Sequence, residues 1–328
     1  MGALLNAICM HRTGGPSVLK FEEAELPLPG RGEFLIRIGS AGVNPVDTKI
    51  REGKFKLFKA KLPAIIGRDI SGVIVQAGPN RAKSLKPRFK PGDSVFGMLD
   101  YDRGAYAQFT VASSQELSLR PKQLKELEAG SLGVAALTAW QGLFDHGHLR
   151  KGQRVLIHGA GGGVGHFAVQ FAKIRGATVI ATAGKRDLAW VRRLGADQVI
   201  DYKNQQFEEE TGDIDLVFDL IAGDIQDRSW KVLRKRGGAI VSTLTQPSQV
   251  QARRHHARGM RMVVAVKSKQ LDEIARLIVA KRVRAVIGKE FPLAKARQAH
   301  EWMEQKHVRG KIVLKVSEKD SSTQIQKR

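Results

Sequence analysis

The stretch His158-Gly-Ala-Gly-Gly-Gly-Val-Gly165 constrains the fold of this chain more than any other. It follows a short apolar run, Arg154-Val-Leu-Ile157, and opens a segment with apolar residues at Val164, Phe167, Ala168, Phe171 and Ala172. The run reads as a buried parallel strand, and the spacing after the turn as one face of a helix. Strand, glycine turn and helix is the arrangement in which backbone N–H groups and a helix N-terminus converge on a pyrophosphate. Glycines at 159, 162 and 165 give GxxGxxG in place of the commoner GxGxxG, with Gly163 and Val164 completing the loop. A glycine turn alone fits an ordinary tight turn as well. The dinucleotide reading therefore rests on the flanks and on what lies downstream.

From about residue 125 the chain alternates apolar runs with helical patterns. Strands are expected at 154–158, 177–183, 198–202, 214–220, 239–244 and 262–266, with helices at 164–175, 187–194, 204–210 and 225–236. Six parallel strands with crossover helices make an α/β, doubly wound Rossmann sheet over residues 125–267. Residues 127–143 read as one helix. The first 124 residues have a different texture, with short strands at 6–10, 19–21, 33–38, 70–76, 94–98 and 106–112. Gly/Pro turns such as Gly78-Pro-Asn80 and Pro91-Gly-Asp93 separate them, and Pro121 marks the edge. Such a segment suggests a closed or partly open β-barrel. An amphipathic face at Leu271, Ile274, Ala275, Ile278 and Val279 follows the sheet, then strand-like runs at 285–291 and 311–316, so 268–316 is assigned back to the first domain. The polar tail 317–328 is expected to be disordered.

The end of the second Rossmann strand selects the cofactor. NAD enzymes place Asp or Glu there for the ribose 2′-hydroxyl, whereas NADP enzymes supply cations for a 2′-phosphate. Here Thr182-Ala-Gly184 runs into Lys185-Arg186, and Lys185 lies 20 residues beyond Gly165. Cations at a helix start oppose the helix dipole, by ~0.3–1 kcal/mol, which favours a ligand role over a solvated one. NADP(H) is the expected cofactor.

The chain has 328 residues, 42% of them hydrophobic, with 34 glycines, and no apolar run approaches the roughly 20 residues that span a bilayer. No secretory signal is expected, and a cytoplasmic, reducing compartment fits. Its single cysteine, Cys9, excludes an intramolecular disulfide and a Cys-rich zinc site. His146/His148 and His255/His256 have neither a cysteine partner nor i,i+4 spacing, so no metal site is expected. The formal charge of +23 raises a nucleic-acid alternative, in which NADPH would be a structural ligand. Cations are scattered, denser at 81–90 and 253–261, and no aromatic-interleaved basic stripe accompanies them, so an anionic cofactor is the preferred explanation.

The chain resembles the zinc-independent quinone oxidoreductase branch of the medium-chain dehydrogenase/reductase superfamily over residues 1 to about 316. The resemblance rests on Met10-His-Arg-Thr-Gly-Gly-Pro-Ser-Val-Leu19, Ala41-Gly-Val-Asn-Pro-Val-Asp-Thr48, Gly67-Arg-Asp-Ile-Ser-Gly72 and Pro91-Gly-Asp-Ser-Val-Phe96. Gly104-Ala-Tyr-Ala-Gln-Phe109, Ala136-Leu-Thr-Ala-Trp140, the glycine loop and Val308-Arg-Gly-Lys-Ile-Val-Leu314 extend it. It implies a GroES-like β-barrel catalytic domain beside the Rossmann domain, with NADPH across a cleft between them. It places Asn44 and Asp47 beside the nicotinamide and the acceptor, and Thr138 in the nicotinamide pocket. Lys185 and Tyr202 then contact the adenosine 2′-phosphate end, and Lys311 the cofactor phosphates. Bland readings stand beside these: Asn44 before Pro45 as a turn former, and Tyr202 as core-edge filling. Zinc relatives carry a cysteine ligand at the place of Asn44. Many family members have an aromatic residue where this chain has Lys49, a departure that would favour anionic acceptors if Lys49 faces the cleft. The implied activity is NADPH-dependent hydride transfer to a quinone or activated enone, with alkenal/enoyl reduction as the variant within enzymes. The expected assembly is a homodimer with no membrane association.

Overall fold

The computed structural model describes residues 3–79, 88–305 and 308–316. They fall into two units, Met1–Val134 with Val266–Val279 and Ile287–Arg328, and Ala135–Ala265 with Ala280–Val286. The division thus lies at 134/135, where the change in sequence texture had suggested 124/125. The basic patch at 81–90 lies mostly outside the described residues, and the tail 317–328 wholly so.

The first unit opens with β1 (Leu4–Met10), which pairs antiparallel with β2 (Leu19–Glu25). Next comes β3 (Glu33–Val43), the longest strand, leading through Asn44 into α1 (Pro45–Arg51). Phe34, Ile36 and Ile38 of β3 enter one apolar cluster, while Leu35 joins Leu5, Ala7 and Cys9 in another. This period-2 alternation is the one visible in the sequence, and each buried aliphatic side chain contributes about 1.5–3 kcal/mol. The strands β4 (Ala64–Ile65), β5 (Asp69–Ala77), β6 (Ser94–Met98), β7 (Phe109–Ser113) and β8 (Leu117–Leu119) complete this part. Where one helix was expected over 127–143, α2 (Glu126–Ala129) and α3 (Gly133–Trp140) are separated, and a π-helical turn covers Gln141–His146. At the break, a Cβ on Gly130 would lie 2.2 Å from the Ser40 hydroxyl of β3, so the chain packs there as closely as glycine allows.

In the second unit β9 (Arg154–Ile157), β10 (Thr178–Ala183), β11 (Gln198–Asp201), β12 (Leu216–Asp219), β13 (Ala239–Ser242) and β14 (Arg258–Arg261) form one parallel sheet. The spatial order is β11-β10-β9-β12-β13-β14, the doubly wound order whose switch point lies beside β9. Between them run α4 (Gly165–Ile174), α5 (Leu188–Arg193), α6 (Phe207–Glu210), α7 (Asp224–Ser229) and α8 (Gln249–Arg254). The sixth strand lies at 258–261 and not at 262–266. It is a charged edge strand whose register, Ala239 opposite Arg258, follows the ladder of β13 and not the apolar run Met262-Val-Val264.

The chain then returns to the first unit through α9 (Ser268–Val279), which buries Leu271, Ile274 and Ala275. There β15 (Ile287–Pro292) pairs parallel with β16 (Lys311–Lys315), and β16 pairs antiparallel with β3. They are joined through α10 (Ala296–Gln305), which buries Ala296, Ala299 and His300 at i, i+3 and i+4. The sequence reading missed both α1 and α10. Pro45 at the first helical position and Asp47 at the third were the available signal for α1.

Candidate active site

The glycine loop joins β9 to α4 at the switch point. Gly159 has φ +73°, in the left-handed region that favours glycine. A Cβ on Gly165 would lie 2.2 Å from the Gly159 carbonyl oxygen, so the start of α4 approaches the loop backbone as closely as it can. Gly162, Gly163 and Val164 form a half-exposed crest, and a Cβ on Gly162 would meet nothing nearer than 3.4 Å. Among the described residues the N–H groups of Gly163 and Val164 meet no acceptor, an arrangement that fits an anionic ligand on the loop. Below it, His158 is buried between the Thr182 hydroxyl (3.1 Å) and the Ser229 hydroxyl (3.0 Å). Burial lowers its pKa to about 4, so it is a neutral, structural group. The Asp219 carboxylate ends β12 and accepts from the N–H groups of Ile221 and Ala222 (2.9 Å each) and from Gln226 (2.8 Å).

Lys185 follows β10 directly and is exposed, as is Tyr202 just beyond β11. Tyr202 N–H donates to the Ala183 carbonyl (3.3 Å), and a Cβ on Gly184 would lie 3.5 Å from its hydroxyl. Tyr202 thus borders the Gly184-Lys185 turn, where the residue types fit a phosphate. Thr138 is buried within α3.

The first unit holds a different construction, a polar cluster sealed inside the barrel. Asn44 caps α1, and the Asp47 carboxylate reaches back to accept from its backbone N–H (2.8 Å). The Asn44 amide nitrogen donates to Asp69 (3.0 Å) and faces the Gly42 carbonyl (3.4 Å), while its oxygen accepts from the Lys311 ammonium. Lys311 also reaches the Val43 carbonyl (3.2 Å) and Asp69 (3.4 Å). The other Asp69 oxygen accepts from Val134 N–H (2.6 Å), and a Cβ on Gly42 or Gly133 would strike its carboxylate.

A second branch starts at Asp47, which accepts from the Tyr106 hydroxyl (2.9 Å). Tyr106 oxygen lies 3.2 Å from His300 Nε2, and His300 Nδ1 accepts from Arg51 (3.1 Å). Arg51 also donates to Glu304 (2.7 Å) and to the Gly14 carbonyl (3.0 Å). Because a guanidinium only donates, the proton order is fixed: His300 is neutral, carries its proton on Nε2 and donates to Tyr106, which donates to Asp47. Burial and the Arg51 charge lower the His300 pKa to about 3. Burial and the Asp69 charge raise that of Asp47 to about 7. The Tyr106 phenol is raised well above its usual value, by burial first and then by Asp47.

The comparisons agree with this architecture. The alcohol dehydrogenase GroES-like domain matches residues 30–122, and the family described as zinc-binding dehydrogenase matches 194–314. The chloroplastic quinone-oxidoreductase homolog of Spinacia oleracea is 32% identical, covering 92% of this chain and 95% of its own. The chloroplastic NADPH-dependent alkenal/one oxidoreductase of Arabidopsis thaliana is also 32% identical, over 92% of this chain and 77% of its own. The solved quinone oxidoreductase of Coxiella burnetii is 34% identical, with a TM-score of 0.87, covering 96% of this chain and 100% of that one. The chain belongs to the quinone oxidoreductase branch of the medium-chain dehydrogenase/reductase superfamily. It is an oxidoreductase of that superfamily. Two of these relatives are chloroplastic, so membership of the branch carries no compartment with it. No helix among the described residues is long and apolar enough to cross a membrane.

The contacts of the expected site residues bear on their roles. Asn44 and Asp47, expected beside an acceptor, are 1% and 0% exposed and bond to Asp69 and Tyr106. Lys311, expected on the cofactor phosphates, is 3% exposed and its ammonium donates to Val43, Asn44 and Asp69. The zinc named in one family description does not fit these residues. Cys9 is buried in β1 with its thiol pushed up to about 11, and the described residues hold no group of three His, Cys, Asp or Glu able to bind a metal. Beside Asn44 lies a lysine ammonium, which repels a cation. Arg51, Asp69, Tyr106, His300 and Glu304 were missed. Asp69 and Tyr106 lie in stretches that carry the family resemblance, whereas His300 leaves no local signal.

Proposed function

We propose that the chain is an NADPH-dependent reductase that passes hydride to a quinone or to an activated enone or enal, without zinc. The observation that carries this reading is the pairing of the glycine crest with an exposed lysine where an NAD enzyme places a carboxylate. Bound NADPH supplies the hydride. The N–H groups of the 159–165 loop and the N-terminus of α4 hold the pyrophosphate, and Lys185 with Tyr202 binds the adenosine 2′-phosphate. Thr138 lies in the nicotinamide pocket. Asn44, Asp47 and Lys311 are positioning residues, which fix α1 to β5 and β16. The NADPH dependence in the name of the Arabidopsis relative supports the cofactor, and its alkenal/one acceptors support the substrate class.

Among the described residues no donor set fits a metal, and this bears on the acceptor. An ordinary ketone is harder to polarise without a Lewis acid, whereas a quinone or enone is already electrophilic. The test is NADPH oxidation against a panel of quinones, enals, enones and saturated ketones, before and after chelation. Turnover of the first three classes that survives chelation is expected. Saturated ketones as the best acceptors, or one zinc per chain with activity lost on its removal, would overturn the reading.

A further inference from the structure

Among the described residues of the first unit three cations are almost wholly buried, and their environments differ. Arg51 is paired with Glu304 (2.7 Å) and Glu52 (3.2 Å), and Lys311 with Asp69 (3.4 Å). Arg68, 2% exposed, has no carboxylate within ion-pair distance among the described residues. Its Nε donates to the Leu99 carbonyl (2.9 Å), its guanidinium carbon lies 3.8 Å over the Tyr101 ring, and its NH1 has no partner. An arginine cannot shed its proton to escape burial, so an uncompensated guanidinium here is costly. A bound anion would remove that cost.

Arg68 and Tyr101 line a cavity of about 630 Å³ within this unit, with Ile50, Phe58, Ala60 and Ile66 as its apolar wall. Of the other charges on the lining, Glu33 is paired with Arg103 (2.8 Å) and Asp102 lies 3.8 Å from the same guanidinium. Lys59, Lys61 and Glu25, all exposed, are also on the lining. We propose that this cavity binds a small-molecule monocarboxylate with an apolar or aromatic body, its carboxylate held by Arg68 and its body against Phe58 and Tyr101.

The chemistry selects this class. Leu99 occupies Nε, Tyr101 covers one face and NH1 is buried without a partner, which leaves the NH2 end to donate a charge-assisted hydrogen bond to a carboxylate. One guanidinium balances one negative charge, and a dianionic phosphate would bring a second, unmatched charge among apolar side chains. The volume is of the size that encloses small ligands.

The proposal stands apart from the reductase reading, because its readout is binding to the full chain without cofactor. Isothermal titration with benzoate, cinnamate, phenylpropionate and octanoate, each beside its neutral amide, and with inorganic phosphate, tests it. At least one carboxylate is expected to bind about tenfold tighter than its amide and tighter than phosphate. Arg68→Gln is expected to remove that preference. Equal binding of acid and amide, no carboxylate binding below about millimolar, or phosphate as the tightest ligand overturns the proposal. Melting of Arg68→Met without ligand separates a binding charge from a structural one. A melting temperature equal to or above the wild type is expected, because an uncompensated charge has been removed. A fall as large as that of Arg51→Met would make Arg68 a structural residue and end the proposal.

Discussion

The glycine loop of the second unit and the polar cluster of the first are built in opposite ways. The loop is made of backbone: its requirements are a positive φ at Gly159, no Cβ at Gly165 and unpaired N–H groups at 163 and 164. The cluster is made of side chains that satisfy one another across the sequence, Asn44 to Lys311 and Arg51 to Glu304. One region leaves its polar groups open for a ligand. The other closes them against water, so its contribution is the placement of α1, β5 and β16. On the proposed reading, the contrast separates groups that meet a cofactor from groups that hold the first unit together.

The largest expected effect attacks the backbone region. Gly165→Val sets a branched side chain where even a Cβ lies 2.2 Å from a carbonyl oxygen. A destabilisation of about 5 kcal/mol or more is expected, with NADPH binding lost, whereas Gly162→Ala, with 3.4 Å of room, leaves the melting curve near wild type. Identical melting of Gly165→Val and Gly162→Ala would erase the distinction between the two glycines.

Asp69→Asn is the corresponding attack on the cluster. It leaves the buried Lys311 ammonium without a carboxylate, which costs on the order of 3 kcal/mol. The loss should appear as reduced denaturant stability, with NADPH affinity retained. Loss of cofactor affinity at unchanged stability would move Asp69 and Lys311 back to the cofactor.

A smaller effect sharpens the proton order in the cluster. His158 and His300 are held neutral, with pKa values lowered to about 4 and about 3, so the unfolded chain binds protons that the folded one refuses below about pH 6.5. Their stabilisation is therefore lost as the pH falls. Asp47 acts in the opposite sense: its carboxyl, raised to about 7, keeps a proton that the unfolded chain releases above its usual value near 3.8. Its share is lost as the pH rises through that window. In His300→Gln the rise of stability between about pH 4 and 6 should be shallower than in the wild type, by about 1.4 kcal/mol per pH unit. Parallel stability curves would show that His300 is not held neutral.

The same contrast explains what the sequence disclosed. A backbone that excludes Cβ atoms writes its requirement locally, as glycine at fixed spacing between a strand and a helix, and β9, the loop and α4 were legible for that reason. Most strands of both units followed from period and punctuation; β4 and β8, of two and three residues, were not expected, and β14 was displaced because its edge position leaves it charged. The cluster left no such trace: Asn44, Asp47 and Arg51 lie within eight residues, but their partners Asp69, Tyr106, His300, Glu304 and Lys311 come from distant parts of the chain. Asn44, Asp47 and Lys311 were singled out through the family resemblance, and their inward-facing contacts appear only when those elements are assembled. The α10 face, Ala296, Ala299 and His300, is too small and too polar to announce itself.

The central claim is that the open backbone loop and Lys185 select NADPH. Equilibrium binding of NADPH and NADH to the wild type and to Lys185→Glu tests it most directly. The wild type should prefer NADPH. The substitution should weaken NADPH by about 1.5–3 kcal/mol and leave NADH nearly unchanged. An equal loss for both cofactors, or a wild type that prefers NADH, would contradict the account.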